Sequence, residues 1–97
     1  IEQFKLPFSF MKDDIEILEG FIGLGYGVST EEELKFIAEM ASLEGLLLDP
    51  VYTGKAMFGL HNTLLKSPDY FGEKILFLHS GGGFGLFQVE GEWGRVF

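Results

Sequence analysis

The sequence predicts an α/β fold in which helices flank a parallel sheet. Short apolar runs alternate along the chain with helical patterns, in the order strand, helix, strand, helix, strand. Strands that are apolar on both faces are typical of parallel sheets covered by helices. The 97 residues are enough for one small domain or for part of a larger one.

Composition restricts the class of protein further. Hydrophobic residues make up 46% of the chain, which is too many for a disordered segment. The formal net charge of −8 argues against nucleic-acid binding and against anionic membrane surfaces. The chain has no cysteine and no apolar run of the roughly 18 residues that a spanning helix needs. We therefore expect a cytoplasmic protein without a nucleic-acid or membrane partner.

The first half of the chain predicts a strand, a glycine loop and a helix. Residues 14–22 are apolar enough for a short strand, and "GLGYGVST" describes a tight loop. In "STEEELKFIAEMASLEG", a serine or threonine is followed three residues later by glutamate, which predicts a capping box. Gly45 suits the position after the helix. One apolar face comprises Leu34, Ile37, Ala38 and Ala41.

The second half predicts two more strands and a second helix. Leu46–Leu48 and the run "KILFLHS" are continuous apolar strands, and "GGGFGLF" is a glycine loop with one more short helix. Thr53 can cap a helix that runs to about Lys66, with an apolar stripe of Ala56, Met57, Leu60 and Leu64. Parallel sheets bind ligands at the carboxyl ends of their strands, so "DPVYTGK" and "HSGGG" are candidate site walls.

The residues alone leave the roles of these walls open. Ser80 and the glycines after it either expose amides to an anion or form a close-packed turn, and no phosphate-loop or dinucleotide motif is present. Tyr52 and Tyr26 are either proton-transfer groups or ordinary packing residues. Lys55 is either a Schiff-base lysine or, as we expect, a surface residue or member of a local ion pair.

The two histidines do not predict a metal site. His61 and His79 have no further ligands at metal-binding spacing, and the HExxH motif is absent. We expect His61 to lie at the surface or pack on a helix. His79 ends a predicted strand, so we expect it to form a structural hydrogen bond.

Three stretches together match a known family in order and spacing. They are "FIGLGYGVSTEEEL", "EGLLLDPVYTGKAMFGL" and "KILFLHSGGGFGLF". They resemble the C-terminal part of the D-cysteine desulfhydrase and 1-aminocyclopropane-1-carboxylate (ACC) deaminase family. Its members are pyridoxal-phosphate (PLP) enzymes of the tryptophan-synthase β-like architecture, fold type II. The resemblance implies that residues 1–97 are a single C-terminal segment of such an enzyme, which we expect to be a homodimer.

The resemblance also implies roles for individual residues. Tyr52 matches an active-site tyrosine near the cofactor ring, and Tyr26 matches a second tyrosine that faces the substrate. Ser80 matches the position whose hydroxyl meets the pyridine nitrogen, and Gly81 lies beside it at the cofactor. Thr53 stands where ACC deaminases usually carry a glutamate that contacts this nitrogen. This difference favours a desulfhydrase-like β-elimination of D-cysteine to pyruvate, ammonia and sulfide.

Other functions remain open beside this one. The parent protein is alternatively an ACC deaminase, or the chain is a non-catalytic binding module or a structural fragment that complements another chain. The resemblance implies that Lys55 is not the Schiff-base lysine, which in this family lies far upstream. The isolated chain is therefore expected to be inactive, and its expected partners are a small amino-acid substrate and the remainder of the parent chain.

Overall fold

Two α-helices form the centre of the chain in a computed structural model, which describes residues 7–95. Helix α1 spans Glu31–Glu44 and helix α2 spans Thr53–Lys66, and the two helices pack against each other. A 3-10 turn at Lys12–Asp14 precedes them, and a 3-10 helix at Gly83–Arg95 follows. Within residues 7–95, no helix has both the length and the apolar character needed to cross a membrane. The sequence predicts one segment over residues 1–97, of which residues 1–6 and 96–97 lie outside the described residues.

Helix α1 begins and ends as predicted. The Thr30 hydroxyl accepts a hydrogen bond from the Glu33 amide at 3.1 Å, and the Glu33 carboxylate accepts one from the Thr30 amide at 3.0 Å. This confirms the capping box, an arrangement that stabilises a helix by about 0.5–2 kcal/mol. Gly45 has a φ of +64°, and its amide donates to the Ala41 carbonyl, so the helix ends on a left-handed glycine.

The predicted apolar face of α1 faces the core. Leu34, Ile37 and Ala38 are buried, and Ala41 is half-buried. Ile37 packs with Leu48 and Phe36 in the centre of a hydrophobic cluster. Partly buried apolar side chains around this cluster are Met40, Leu46, Met57, Phe58, Phe77, Leu86 and Trp93.

The predicted apolar stripe of α2 is not its buried face. Ala56 is exposed, and the other stripe residues are half-buried; the buried positions of α2 are Thr53, Gly54, Lys55 and Gly59. Glycine allows the close approach that decides this orientation. A Cβ at Gly54 would lie 2.6 Å from the Ile37 side chain, and a Cβ at Gly59 would lie 3.0 Å from the Phe21 ring.

The predicted parallel sheet is absent from residues 7–95, where no segment is a strand. Residues 14–22, Leu46–Leu48 and residues 75–78 have no backbone ladder with one another. A continuous apolar run forms a strand only when neighbouring strands take up its amide and carbonyl groups. The Leu76 and Leu78 side chains are 94% and 82% exposed, so the described residues do not cover them as neighbouring strands and helices would.

Candidate active site

A buried carboxylate organises the turn that leads into α2. Asp49 Oδ1 accepts hydrogen bonds from the amides of Val51 at 2.8 Å and Tyr52 at 2.6 Å, and Oδ2 accepts from the Thr53 amide at 2.8 Å and the Thr53 hydroxyl. The prediction that Thr53 caps the helix is therefore wrong, because Asp49 supplies the capping group.

The environment of Asp49 keeps it charged. Burial by itself raises the pKa of the Asp49 carboxyl, but hydrogen bonds from the Thr53 side chain and from three backbone amides lower it below the ordinary value of 3.8. The resulting negative charge lies at the start of α2, where the helix dipole favours an anion. Asp49 is thus a structural group that fixes Tyr52 at the first turn of the helix.

Thr53 faces into this turn. Its hydroxyl donates to the Asp49 carboxylate and accepts the Asp49 amide at 2.8 Å, and its side chain is only 2% exposed. The hydroxyl is therefore used inside the turn, and the structure does not bring it to the tyrosines. The contact between Thr53 and a cofactor that the family resemblance implies stays a prediction.

The two tyrosines that the sequence predicts as site residues meet in space. The Tyr52 hydroxyl donates to the Tyr26 hydroxyl at 3.2 Å, and the rings pack edge to face with centroids 6.1 Å apart. The hydrogen bond to Tyr26 is the main cause that raises the pKa of Tyr52 above 10.0; the charge of Tyr26, desolvation and the charge of Asp49 add to it. Tyr52 therefore stays protonated near neutral pH.

Lys55 lies under the loop that carries Tyr26. Its ammonium donates to the carbonyl oxygens of Ile22 at 2.5 Å, Gly25 at 2.8 Å and Val28 at 3.0 Å, and the residue is 8% exposed. The expectation of a surface lysine or a local ion pair is therefore wrong. A cation in the first turn of a helix opposes the helix dipole and needs compensating partners, but this signal does not reveal which groups they are.

An open cleft of about 740 Å³ lies beside the tyrosine pair. Tyr26, Tyr52 and Lys55 contribute to its lining, and most of its remaining walls are apolar, from Leu18, Phe21, Ile22 and Val51. The cleft is large enough for a small amino acid together with a flat aromatic group. The tyrosines are 80% and 60% exposed, so their hydroxyls can be reached by a ligand in the cleft.

His79 links the ends of two segments that the sequence predicts as strands. Its Nε2 lies 2.8 Å from the Leu47 carbonyl, and its Nδ1 accepts the Gly81 amide at 3.0 Å. Because Nδ1 accepts, Nε2 carries the hydrogen and donates to Leu47. This confirms the expected structural hydrogen bond.

The glycine loop after His79 rests on the Asp49 turn. A Cβ at Gly82 would lie 2.8 Å from Asp49 Oδ2, so only glycine fits this approach. Gly81 has a φ of +99°, and a Cβ there would meet no atom within 4 Å, which leaves its backbone open on one side. Ser80 is exposed beside it. The loop with Ser80 and the turn with Tyr52 are thus joined through Asp49, although the hydrogen bonds within residues 7–95 do not connect Ser80 to the tyrosines.

Comparison with known proteins identifies the relatives of this chain. No family profile matches it. Over 86% of its length it is 43% identical to the bifunctional D-cysteine desulfhydrase/1-aminocyclopropane-1-carboxylate deaminase, mitochondrial, of Arabidopsis thaliana. It is also 43% identical to the D-cysteine desulfhydrases of Klebsiella pneumoniae and Salmonella newport, over 81% and 79% of its length. The chain spans about a quarter of the length of these relatives, between 23% and 24%. The family resemblance is thereby confirmed, and the chain belongs to the D-cysteine desulfhydrase and ACC deaminase family as a segment of its longer members.

Proposed function

We propose that this chain is part of a PLP-dependent lyase that converts D-cysteine to pyruvate, ammonia and sulfide. The observation that carries the proposal is the hydrogen bond from Tyr52 to Tyr26 beside the open cleft. The names of the relatives support the substrate, because all three include D-cysteine desulfhydrase. The activity is proposed for the whole protein, of which this chain supplies one wall of the site.

The glycine loop is the part of this chain that we propose holds the ring of PLP. The backbone at Gly81 is open on one side, and the exposed hydroxyl of Ser80 is a suitable partner for a pyridine nitrogen. We expect these two residues to hold the ring. Lys55 does not fit as a covalent anchor, because its three ammonium hydrogens are already bonded to carbonyls. When bound, PLP supplies the electron sink that stabilises negative charge at the substrate Cα.

The tyrosine pair is suited to donate a proton. The raised pKa keeps Tyr52 protonated at neutral pH, and its hydrogen bond to Tyr26 provides a path for a proton between the two hydroxyls. During elimination the Cα–H bond breaks and its proton goes to a base in the remainder of the parent protein. The electron pair of that bond forms the Cα=Cβ bond, while the Cβ–S bond breaks and its electron pair leaves with the sulfur. Tyr26 gives its proton to this sulfur, Tyr52 restores the proton on Tyr26, and water in the open cleft restores the proton on Tyr52. Proton transfer by a positioned side chain typically contributes about 10²–10⁴-fold to the rate.

ACC deamination is the second candidate function. The name of the Arabidopsis relative includes this activity, and a proton donor beside the cleft would also serve the opening of a cyclopropane ring. Thr53 favours the desulfhydrase, because its hydroxyl is bonded to Asp49 and offers no carboxylate to a ring nitrogen. A neutral partner such as Ser80 does not force protonation of that nitrogen, which suits elimination of a good leaving group.

The whole protein is further proposed to be a homodimer of fold type II. In that architecture Leu46–Leu48 and residues 75–78 would become strands by pairing with neighbours, which would cover their exposed side chains. We propose the cytoplasm as its compartment, although the name of the plant relative assigns that protein to the mitochondrion. Limited proteolysis and hydrogen exchange of the full-length protein test the pairing, because amides of residues 75–78 should be protected there.

The substrate is tested with the full-length protein that carries this segment. D-cysteine, L-cysteine, β-chloro-D-alanine and ACC are supplied in turn, and pyruvate or 2-oxobutyrate is measured. Pyruvate from D-cysteine is the expected result. Turnover of ACC with none of D-cysteine would contradict the desulfhydrase assignment. A folded protein that converts neither would support a non-catalytic role.

Cofactor binding provides a readout other than activity. Replacing Ser80 with alanine should weaken PLP binding by about 0.5–1.5 kcal/mol, the contribution of a neutral hydrogen bond. Binding is measured from the cofactor absorbance at increasing PLP concentration. Ser9→Ala is the matched control, because Ser9 is an exposed serine outside the loop. Equal PLP affinity of Ser80→Ala and wild type would remove Ser80 from the cofactor site.

A further inference from the structure

The ammonium group of Lys55 has its full set of hydrogen-bond partners in one loop. A lysine ammonium carries three N–H donors, and three carbonyl oxygens lie 2.5–3.0 Å from Nζ. They belong to Ile22, Gly25 and Val28. A buried charge is costly unless it is hydrogen-bonded, and Lys55 is 8% exposed. The loop carbonyls therefore explain why a lysine is stable at this place.

The position of Lys55 in α2 is unfavourable for a cation. It lies in the first turn of the helix, where the dipole repels positive charge. Asp49 offsets part of this repulsion from the same end of the helix. A neutral side chain would avoid this repulsion by the helix dipole. The groups that stabilise a lysine at position 55 are therefore the carbonyls of the loop.

The same loop carries Tyr26. Gly25 and Val28, which supply two of the three carbonyls, lie within two residues of it on either side. Gly25 and Gly27 have φ values of +130° and +71°, which gives this loop a backbone that other residues rarely adopt. Tyr26 itself is 80% exposed, so burial of its own side chain holds it only weakly.

We propose that Lys55 is a positioning residue that holds the loop of residues 22–28 so that Tyr26 meets Tyr52. The inference rests on the proposed function, because it assigns Lys55 to the reaction through the tyrosine pair. One turn of α2 then fixes both tyrosines. Tyr52 stands at the start of the helix, and Lys55, three residues later, fixes the loop of its partner.

A double-mutant cycle in the full-length protein tests whether Lys55 acts through Tyr26. Lys55→Met should lower kcat for D-cysteine by about as much as Tyr26→Phe, roughly 10²-fold or more. The double variant should be no slower than Tyr26→Phe alone. Once the Tyr26 hydroxyl has been removed, a displacement of the loop that carried it has no further effect on kcat. Independent, multiplicative losses would overturn the inference. Lys66→Met is the matched control, since Lys66 is exposed at the other end of the same helix, and its kcat should be unchanged.

Titration of Tyr52 gives a readout that does not depend on activity. The contacts that set its pKa are with Tyr26 and with the charge of Asp49. In protein labelled with ¹³C at the tyrosine Cζ, Tyr52 should titrate above 10.0 in wild type and closer to 10.0 in Lys55→Met. The Tyr52 signal is assigned by its loss in Tyr52→Phe. An unchanged titration in folded Lys55→Met would overturn the inference.

Lys55→Arg covers the case in which the methionine variant does not fold. Arginine keeps the charge, but its planar fork spreads the N–H groups and cannot direct three of them at converging carbonyls. It should therefore show part of the same loss in kcat and part of the same change in the Tyr52 titration. Wild-type behaviour of Lys55→Arg would show that charge alone suffices, contrary to the inference.

The outcomes separate this inference from the proposed function. If Tyr26→Phe leaves kcat unchanged, the proposed role of the tyrosine pair is wrong, and the Tyr52 titration still tests Lys55. If Tyr26→Phe lowers kcat while Lys55→Met alters neither kcat nor the titration, only the role of Lys55 is wrong.

Discussion

Replacing Asp49 with asparagine tests how firmly the first turn of α2 is held. The asparagine side chain has the same shape, and its oxygen can keep the bonds from the Val51 and Tyr52 amides. Its NH₂ group then faces the Thr53 amide, which lies 2.8 Å from Oδ2 in the native turn. Two donors meet there, so the Thr53 amide loses its partner inside a buried turn. The Thr53 hydroxyl can rotate to accept from the new NH₂ group.

The expected loss of stability follows from these contacts. A hydrogen bond to a charged group contributes about 1.5–3 kcal/mol, and a buried donor without a partner costs about 1–3 kcal/mol. Loss of the negative charge at the helix start removes about 0.3–1 kcal/mol more. Because such contributions overlap, we expect Asp49→Asn to lower the free energy of unfolding by about 2–5 kcal/mol.

Urea denaturation of the full-length protein at several pH values measures this loss. The pKa of Asp49 is lower in the folded than in the unfolded state, so its charge stabilises the fold above about pH 4. That contribution is lost as the pH falls through the lowered, folded-state pKa. The difference between wild type and Asp49→Asn should therefore shrink on acidification. Asp69→Asn is the control, because Asp69 is exposed.

A difference below about 0.5 kcal/mol at pH 7, which is the range of ordinary surface substitutions, would refute the capping role of Asp49. A difference that grows as the pH falls would refute the sign of its pKa shift. Either result would also contradict the conclusion that Asp49 fixes the position of Tyr52 at the start of α2.

Two glycines provide further predictions. Gly54→Ala should destabilise the protein strongly, because the new Cβ would lie 2.4 Å from a backbone oxygen; Gly83→Ala, with open space around it, is the control in the same denaturation assay. Gly82→Ala should cost more than Gly20→Ala, since both have a positive φ but only Gly82 approaches another group. Equal unfolding midpoints within either pair would contradict the close approaches.

The sequence predicts α1 well because its signals are local. Thr30 and Glu33 form the capping box within four residues, and Gly45 ends the helix by its own backbone preference. The apolar spacing between these ends then determines which face is buried. Nothing distant in the chain is needed for any of these features.

The sheet and the packing of α2 are not local properties. An apolar run such as residues 75–78 indicates burial on two faces, but a strand forms only with neighbours, and none pairs with it within residues 7–95. In α2 the apolar stripe predicted one orientation, whereas Gly54 and Gly59 allow a closer approach on another face. The spacing of apolar residues does not reveal how closely two backbones can approach.

The site was predictable only where a motif marked it. The family motifs name Tyr26 and Tyr52, and the structure brings them into contact. Lys55 was misjudged because its partners are backbone carbonyls 27–33 residues earlier, and any residue type offers a carbonyl. Thr53 was assigned to the cap because it begins the helix, although Asp49 performs that role.

The kcat of the full-length protein for D-cysteine, measured in Tyr52→Phe, Tyr26→Phe and the double variant, tests the central claim most directly. If the two hydroxyls form one proton-donating pair, each single variant should lose about 10²–10⁴-fold, and the double variant should lose little more than the worse single one. Phenylalanine keeps both rings, so packing in the cleft is preserved. Unchanged kcat in both single variants, or losses that multiply in the double variant, would contradict a shared role of Tyr26 and Tyr52 in proton transfer.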